Sequence, residues 1–456
     1  LSNLRQLLLI SFILALASCD ISTPKPSHSN QSSSLDSNID AYIQRHVENG
    51  RFNGSLLIGK GDSLVYQKAF GMADRSFETP NDPATKFMIG SITKPFAALA
   101  IMILVEQGKL GLDDTLSTYF PSFPSSKKIT ISQLLNHTAG LDDYQKLSDW
   151  KADSKSDLTS PQSTVEKMRR LPLLSEPGEQ FRYSNVGYIL LGLIIEQVTE
   201  QSFADFIQDE ILNPLELKNT GVAKNHAIIP HLAKGYSSSP KETLHAEYIN
   251  YKQPFSSGNM YSTPNDLWLF TKAVMGGKLL SEKTTQAIFN SGKHYGYGWG
   301  LRTFGKTKAF GHYGGMNGFV GAITFIPEDD WFICLLTNDE NTPKARITND
   351  LVSIIKGEDV PLPTLTKSIA LSERIKAQVL GDYLVKAGDT LSIFEEKGVL
   401  YMQETGQRKH ALFPYEDYAF CFKFLEFNAV FEDIRAEKTQ VLRLEGRETI
   451  LEAKRI

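Results

Sequence analysis

From Phe96 to Val105 the chain reads FAALAIMILV, ten residues without a polar side chain. A run of that length makes a helix of nearly three turns that is apolar on every side. Such a helix cannot lie on a surface, and it falls well short of the roughly 20 residues that a membrane span requires. Protein must therefore wrap it on all sides, which demands a domain with several layers. A chain of 456 residues, 41% of them hydrophobic, has the material for this and is not a disordered one. Polar groups bordering the helix stand at the edge of a dry interior, where their chemistry departs most from that in water.

Around this helix the pattern mixes elements. Residues 37–50 (SNIDAYIQRHVENG) predict an amphipathic helix with Ile39, Tyr42, Ile43 and Val47 on one face and Gly50 as its stop. GSLLIGK and SLVYQKAFG predict two strands around a Lys60-Gly61-Asp62 turn. Strand signals return at YGWGLRTF, GFVGAITFIP and WFICLLTN, and a helix is predicted from Thr342 to about Lys356. Strands at both ends with helices between them predict an α+β fold, with one antiparallel sheet built from both ends of the segment and a helical insertion. Pro361 and Pro363 mark a linker over 358–369. Beyond it, residues 370–456 carry short strand signals at regular spacing, which predicts a small all-β barrel or sandwich. The organisation expected is thus a folded body over 38–357 and an all-β domain over 370–456.

The first residues are of another kind. Arg5 precedes an apolar stretch from Leu7 to Ala17, and Leu16-Ala17-Ser18-Cys19 follows the pattern of a bacterial lipobox. Residues 1–18 are expected to be a lipoprotein-type signal peptide and Cys19 the lipidated residue. Residues 19–37, rich in Ser, Pro and Asn, are expected to be a flexible tether. The expectation is an exported protein held to the cell envelope by a lipid alone. The remaining cysteines, Cys334 and Cys421, sit in apolar strand-like runs and read as buried thiols.

Three polar pieces border the apolar runs. At the head of the buried helix stand Ser91 and Lys94, three apart and so on one helix face, about 4.5 Å apart along the axis. Burial disfavours the ammonium of Lys94 and lowers its pKa, so that a neutral amine faces a hydroxyl. S-x-x-K occurs elsewhere too, at Ser22, Ser125, Ser148, Ser238 and Ser353, but only Ser91 has a strand before it and a core helix after it. The second piece, Tyr183-Ser184-Asn185, precedes another long apolar helix. A phenol beside a lysine cation would have a lowered pKa and would shuttle protons, and an amide would orient the amine or a substrate carbonyl. The third, His312-Tyr313-Gly314-Gly315, leads towards an apolar strand. Glycines at a strand edge let a substrate backbone approach, and bare N–H groups there stabilise an oxyanion. Each piece alone has a plain structural explanation: a helix cap, a core aromatic, a glycine-rich turn.

Together and in this order the three pieces resemble the serine β-lactamase and penicillin-binding protein superfamily, in particular the class C β-lactamase branch, which also holds D,D-carboxypeptidases, D-aminopeptidases and esterases. LLNHTAGL (134–141), EPGEQFRYSNVGYILLG (176–192), ILNPLELKNT (211–220) and SSGNMYSTPNDLWLF (256–270) match its style. The similarity covers roughly residues 38–350, and the C-terminal region is similar to the lipocalin-like barrels appended to such domains. The resemblance implies that Ser91 is the acylated nucleophile, that Lys94 and Tyr183 share the acid and base roles, and that Asn185 orients Lys94 or the substrate. It implies an oxyanion hole from the N–H groups of Ser91 and Gly315, with Gly314 and His312 lining the substrate. His312 stands where many members carry a lysine. A group titrating near neutrality there holds a substrate carboxylate less firmly, so peptidase or esterase activity stays open beside β-lactam hydrolysis. No cofactor or metal is called for, since none of the nine histidines has the H-E-x-x-H spacing. The net charge of −4 argues against nucleic acid. The expected partner is a small-molecule or peptide acyl donor. The rival from another class is a non-catalytic lipoprotein that binds cell-wall peptides or a partner in the same pocket.

Overall fold

The structure, a computed structural model, describes residues 29–456 apart from 239–241, 364–368, 386–388, 397, 405–408, 423–426, 436–437 and 446–449. The expected signal peptide and Cys19 lie outside the described residues. Among the described residues no helix is long and apolar enough to cross a membrane.

The sheet of the body has six strands: β1 (Gly54–Lys60), β2 (Ser63–Phe70), β3 (Gly300–Phe304), β4 (Thr307–Met316), β5 (Phe319–Ile326) and β6 (Trp331–Thr337). Their spatial order is β3-β4-β5-β6-β1-β2, every pair antiparallel. The two ends of the body thus meet at the β6–β1 seam, where Lys60 pairs with Trp331 and Gly54 with Thr337. Strand alternation divides the core in two. Phe332, Cys334 and Leu336 of β6 face one helical layer, and Trp331, Ile333 and Leu335 face the other.

The second layer contains helix α1 (Ser29–Glu48), which begins inside the stretch expected to be a tether. Leu35 packs on the core one turn ahead of Ile39. Extending a docked helix costs far less than starting one, so the serine-rich segment continues the helix despite its composition. The first layer contains α2 (Thr93–Glu106), α3 (Asn185–Thr199) and α4 (Pro264–Met275). Helix α2 is the wrapped helix that its sequence requires, with every residue from Thr93 to Leu104 buried. Phe96 stacks on Phe270 of α4 at 3.7 Å between ring centroids. Helix α4 starts where it does because Thr263 accepts the Asp266 N–H and Pro264 takes the first turn. Helix α5 (Lys344–Ile355) closes the body against the second layer.

The C-terminal region forms a closed eight-stranded barrel from Gly381–Val385 to Ile450–Arg455, preceded by a short helix at Glu373–Val379. Two of its strands escape the sequence pattern. Lys409–Glu416 contains Pro414, which is accommodated beside a register shift. Ile450–Arg455 is too polar to alternate cleanly. The barrel meets the body where Arg51 Nη2 donates to the Phe422 carbonyl at 3.0 Å. Cys334 and Cys421 are both free thiols.

Candidate active site

Ser91 lies in a single 3-10 turn, Gly90–Ile92, that leads directly into α2. Its hydroxyl is half-buried, and the next helical turn carries Lys94, fully buried. The Lys94 ammonium donates three hydrogen bonds: to Ser91 Oγ at 3.0 Å, to Asn185 Oδ1 at 2.7 Å and to the Ser257 carbonyl at 2.8 Å. Two of these partners, an amide oxygen and a carbonyl, only accept. When the lysine loses a proton, its two remaining hydrogens stay on those acceptors and the lone pair turns to Ser91. Burial pushes the amine down from 10.5 to about 7, while the carboxylate of Asp143 pulls it upward by a smaller amount. Near neutral pH the group is therefore divided between acid and base, as its burial predicts.

Helix α3 starts at Asn185, and Tyr183 stands just before it. Asp143 fixes this start, because its Oδ2 accepts the Asn185 N–H at 2.6 Å. The Lys94 Nζ lies 4.9 Å from the Tyr183 ring centroid and 5.5 Å from that of Tyr188. Tyr183 keeps 39% of its surface exposed, while protein groups crowd around its hydroxyl. That enclosure pushes the phenol pKa well up, and the nearby Ser91 hydroxyl offsets only part of the rise. This corrects the expectation of an easily ionised phenol: desolvation outweighs the neighbouring cation, itself half-neutral. Tyr183 stays protonated and is a donor.

His137, in the LLNHTAGL segment, braces this piece. Its backbone takes the left-handed region (φ 60°), its Nδ1 accepts the Ser184 N–H at 3.2 Å, and its ring lies 4.3 Å from that of Tyr183.

His312 to Gly315 lie within strand β4 and not at a turn; the hairpin turn falls after them, at Gly318 (φ 81°). Alternation puts His312 and Gly314 on the same face as Phe310, towards α2. The strand presses against the Ser91 turn. Gly90 has a left-handed backbone (φ 51°), and a Cβ there would stand 2.6 Å from both N and O of Gly315. A Cβ on Gly314 would collide with the Ile89 carbonyl. Glycines at these positions are what let the Ser91 and Gly315 backbones adjoin.

His312 departs from expectation. It is 5% exposed, and burial with Lys94 nearby pushes its pKa down to about 3, so it does not titrate near neutrality. Its ring centroid is 6.2 Å from that of Tyr183, so it stands beside the phenol as a neutral group.

The structure thus gathers Ser91, Lys94, Tyr183, Asn185, His312, Gly314 and Gly315 into one place. It adds Ser257, Asp143, His137 and Tyr295, to which sequence reasoning gave no role in the chemistry. Ser257 acts through its carbonyl, which has no side-chain signature; its one signal was the SSGN segment at 256–259.

The Beta-lactamase family profile matches residues 39–355. Penicillin-binding protein 4* of Bacillus subtilis (strain 168) is 30% identical over 433 residues, spanning 88% of this chain and 95% of that protein. Among solved structures, the octameric penicillin-binding protein homologue from Pyrococcus abyssi superposes with a TM-score of 0.65 at 25% identity, covering 92% of this chain and 99% of that one. The D-amino acid amidase from Ochrobactrum anthropi SV3, complexed with D-phenylalanine, gives a TM-score of 0.64 at 25% identity over 71% of this chain and 99% of its own.

Proposed function

The chain belongs to the beta-lactamase family of serine hydrolases, and from that premise we propose that it forms an acyl-enzyme on Ser91 and hydrolyses an amide or ester of a D-amino-acid type of acyl donor. The observation that carries this reading is the amine of Lys94, held by two acceptor-only oxygens with its third position on Ser91 Oγ at 3.0 Å. The likeness to a D-amino acid amidase supports the choice of donor.

In the first step Ser91 Oγ bonds to the carbonyl carbon as its proton passes to Lys94 Nζ. The N–H groups of Ser91 and Gly315 hold the oxyanion. The bond to the leaving amine or alcohol then breaks. Tyr183, kept protonated by its surroundings, gives its proton to the leaving group and takes the one on Lys94. Water attacks the resulting ester, its proton passes to Lys94, and Ser91 departs as a hydroxyl. A β-lactam would enter the same first step. Whether it is turned over or trapped depends on the second, where a 10⁴-fold slowing is only about 5.5 kcal/mol.

Ser91→Ala should lose covalent labelling by a fluorophosphonate or fluorescent penicillin, together with turnover of a D-alanyl ester. Turnover persisting in that variant refutes the assignment. If the wild type neither labels nor turns over any acyl probe, the chain is a binder that uses the same pocket.

A further inference from the structure

His137 is a buried imidazole that the acyl-transfer steps leave unused. It follows the short helix Ile131–Leu135 and is 2% exposed. Its main chain and its side chain both grip the strip that carries Tyr183. The His137 carbonyl accepts the Arg182 N–H at 2.7 Å, and Nδ1 accepts the Ser184 N–H at 3.2 Å, one residue to either side of the phenol. An Nδ1 that accepts leaves the ring hydrogen on Nε2, which meets no acceptor among the described residues. A charged ring would give up the Ser184 bond, and burial, with Lys94 and His312 nearby, holds the imidazole well below its ordinary pKa. The ring is a neutral wedge.

That wedge is the nearest ring to Tyr183. The centroids stand 4.3 Å apart with the planes tilted by 36°, against 6.2 Å to His312 and 6.4 Å to Tyr295. The imidazole is itself packed against Tyr188 at 5.1 Å and Tyr295 at 4.6 Å. Both of those rings are buried and held at their hydroxyls. Tyr188 donates to the Leu135 carbonyl at 2.6 Å, and Tyr295 Oη lies 2.8 Å from His312 Nε2. The main chain beside Tyr183 has further anchors: Ser184 Oγ donates to the Asp142 carbonyl at 3.0 Å, and the Asn185 N–H to Asp143 Oδ2 at 2.6 Å. These anchors outlast a change at His137, whereas the stack on the Tyr183 ring does not.

Resting on the acyl-transfer reading of Ser91, we propose that His137 is a positioning residue for Tyr183: its ring holds the phenol where it protonates the leaving group, and so sets how well amides are cleaved relative to activated esters. As the C–N bond breaks, Tyr183 Oη gives its proton to the departing nitrogen and takes from Lys94 Nζ the proton that Ser91 gave up. The amine leaves neutral, and Tyr183 and Lys94 return to their starting forms. A p-nitrophenyl ester needs no such transfer, because its oxygen departs as a stable anion and the Ser91 proton stays on Lys94. A displaced phenol therefore handicaps the amide far more than the ester.

The test is run on the full chain with D-alaninamide and the p-nitrophenyl ester of D-alanine. Their acyl group is the same, and kcat/KM for each reports the steps up to release of the leaving group. His137→Asn keeps an acceptor at the Nδ1 position and a residue type at ease with a left-handed backbone, but removes the ring. The amide-to-ester ratio of kcat/KM should fall about 10–100-fold, the scale of a reacting group displaced by about 1 Å. His137→Phe keeps a ring and removes the acceptor, and should hold the ratio near that of the wild type. Tyr183→Phe should depress the ratio, and adding His137→Asn to it should depress it no further. An unaltered ratio in His137→Asn, including an equal loss on both donors, marks His137 as structural only and overturns the proposal. So does a ratio that falls as far in His137→Phe, one untouched by Tyr183→Phe, or a further fall in the double variant. The His137→Phe result decides alone where His137→Asn does not fold. Failure of the Ser91 reading registers separately, as activity surviving in Ser91→Ala.

Discussion

The acid limb of the pH–rate profile should belong to Lys94, and Asp143 should set its position. A lysine at its ordinary 10.5 offers about one free amine in 3,000 at pH 7; held down to about 7, it offers about one in two. Activity should therefore rise with pH through about 7 as the amine loses its proton. Asp143 opposes the shift from one side chain away, since it holds the N–H of Asn185 while Lys94 holds the same residue's Oδ1. Taking a separation of about 7 Å and an effective dielectric of about 40, Coulomb's law gives about 1.2 kcal/mol, close to one pKa unit. Asp143→Asn keeps the shape and removes the charge. The limb should move down by about one unit, which takes the free-amine fraction at pH 6 from about 9% to about 50%, a gain of roughly fivefold. The assay is kcat/KM for a chromogenic D-alanyl ester between pH 5 and 9, which reports the free enzyme. A limb that stays in place or moves up refutes the reasoning. The sign for folding is related. The pKa of Lys94 is depressed in the folded state, so its contribution to stability is full above about 10.5 and is lost as pH falls towards 7.

Two further outcomes are expected. Gly90→Ala puts a methyl 2.6 Å from the Gly315 backbone at a left-handed φ, so it should push the two adjoining backbones apart and lower kcat by about 10²–10³, the scale for losing one oxyanion donor; steady-state kinetics on folded variant, checked by circular dichroism, decide it. Cys19→Ala should abolish incorporation of labelled palmitate and release the protein from the membrane fraction; label retained in the variant excludes lipidation at Cys19.

The residues that the sequence revealed are those whose signal is local. Ser91 and Lys94 are legible because a helix puts three-apart residues on one face and the apolar run behind them guarantees burial. Tyr183 and Asn185 stand out as polar groups at the head of a second apolar helix. Five of the six strands of the sheet were legible as apolar runs at the two ends of the body, whereas β4 was not, because Gly311, Gly314 and Gly315 break its pattern and read as a turn. What stayed hidden depends on distant neighbours. Tyr183 was assigned an easily ionised phenol because the sequence indicates a lysine beside it but not the packing around its hydroxyl. His312 was assigned an ordinary titration for the same reason, since Tyr295 and Arg302 are brought to it only by the sheet. Asp143 works through a backbone N–H, and Ser257 through a carbonyl that any residue would carry. In the barrel, Pro414 disguised one strand and charged residues another.

The seam between β6 and β1 has a consequence for synthesis. Lys60 leaves the ribosome long before Trp331, its partner across the seam. At ordinary translation rates of about 5–20 residues per second, tens of seconds separate them. During that interval the first hairpin lacks its neighbour, and a two-stranded ribbon is barely stable by itself. The nascent body thus stays open until its last strand emerges, and chaperones have a predictable window in which to hold it.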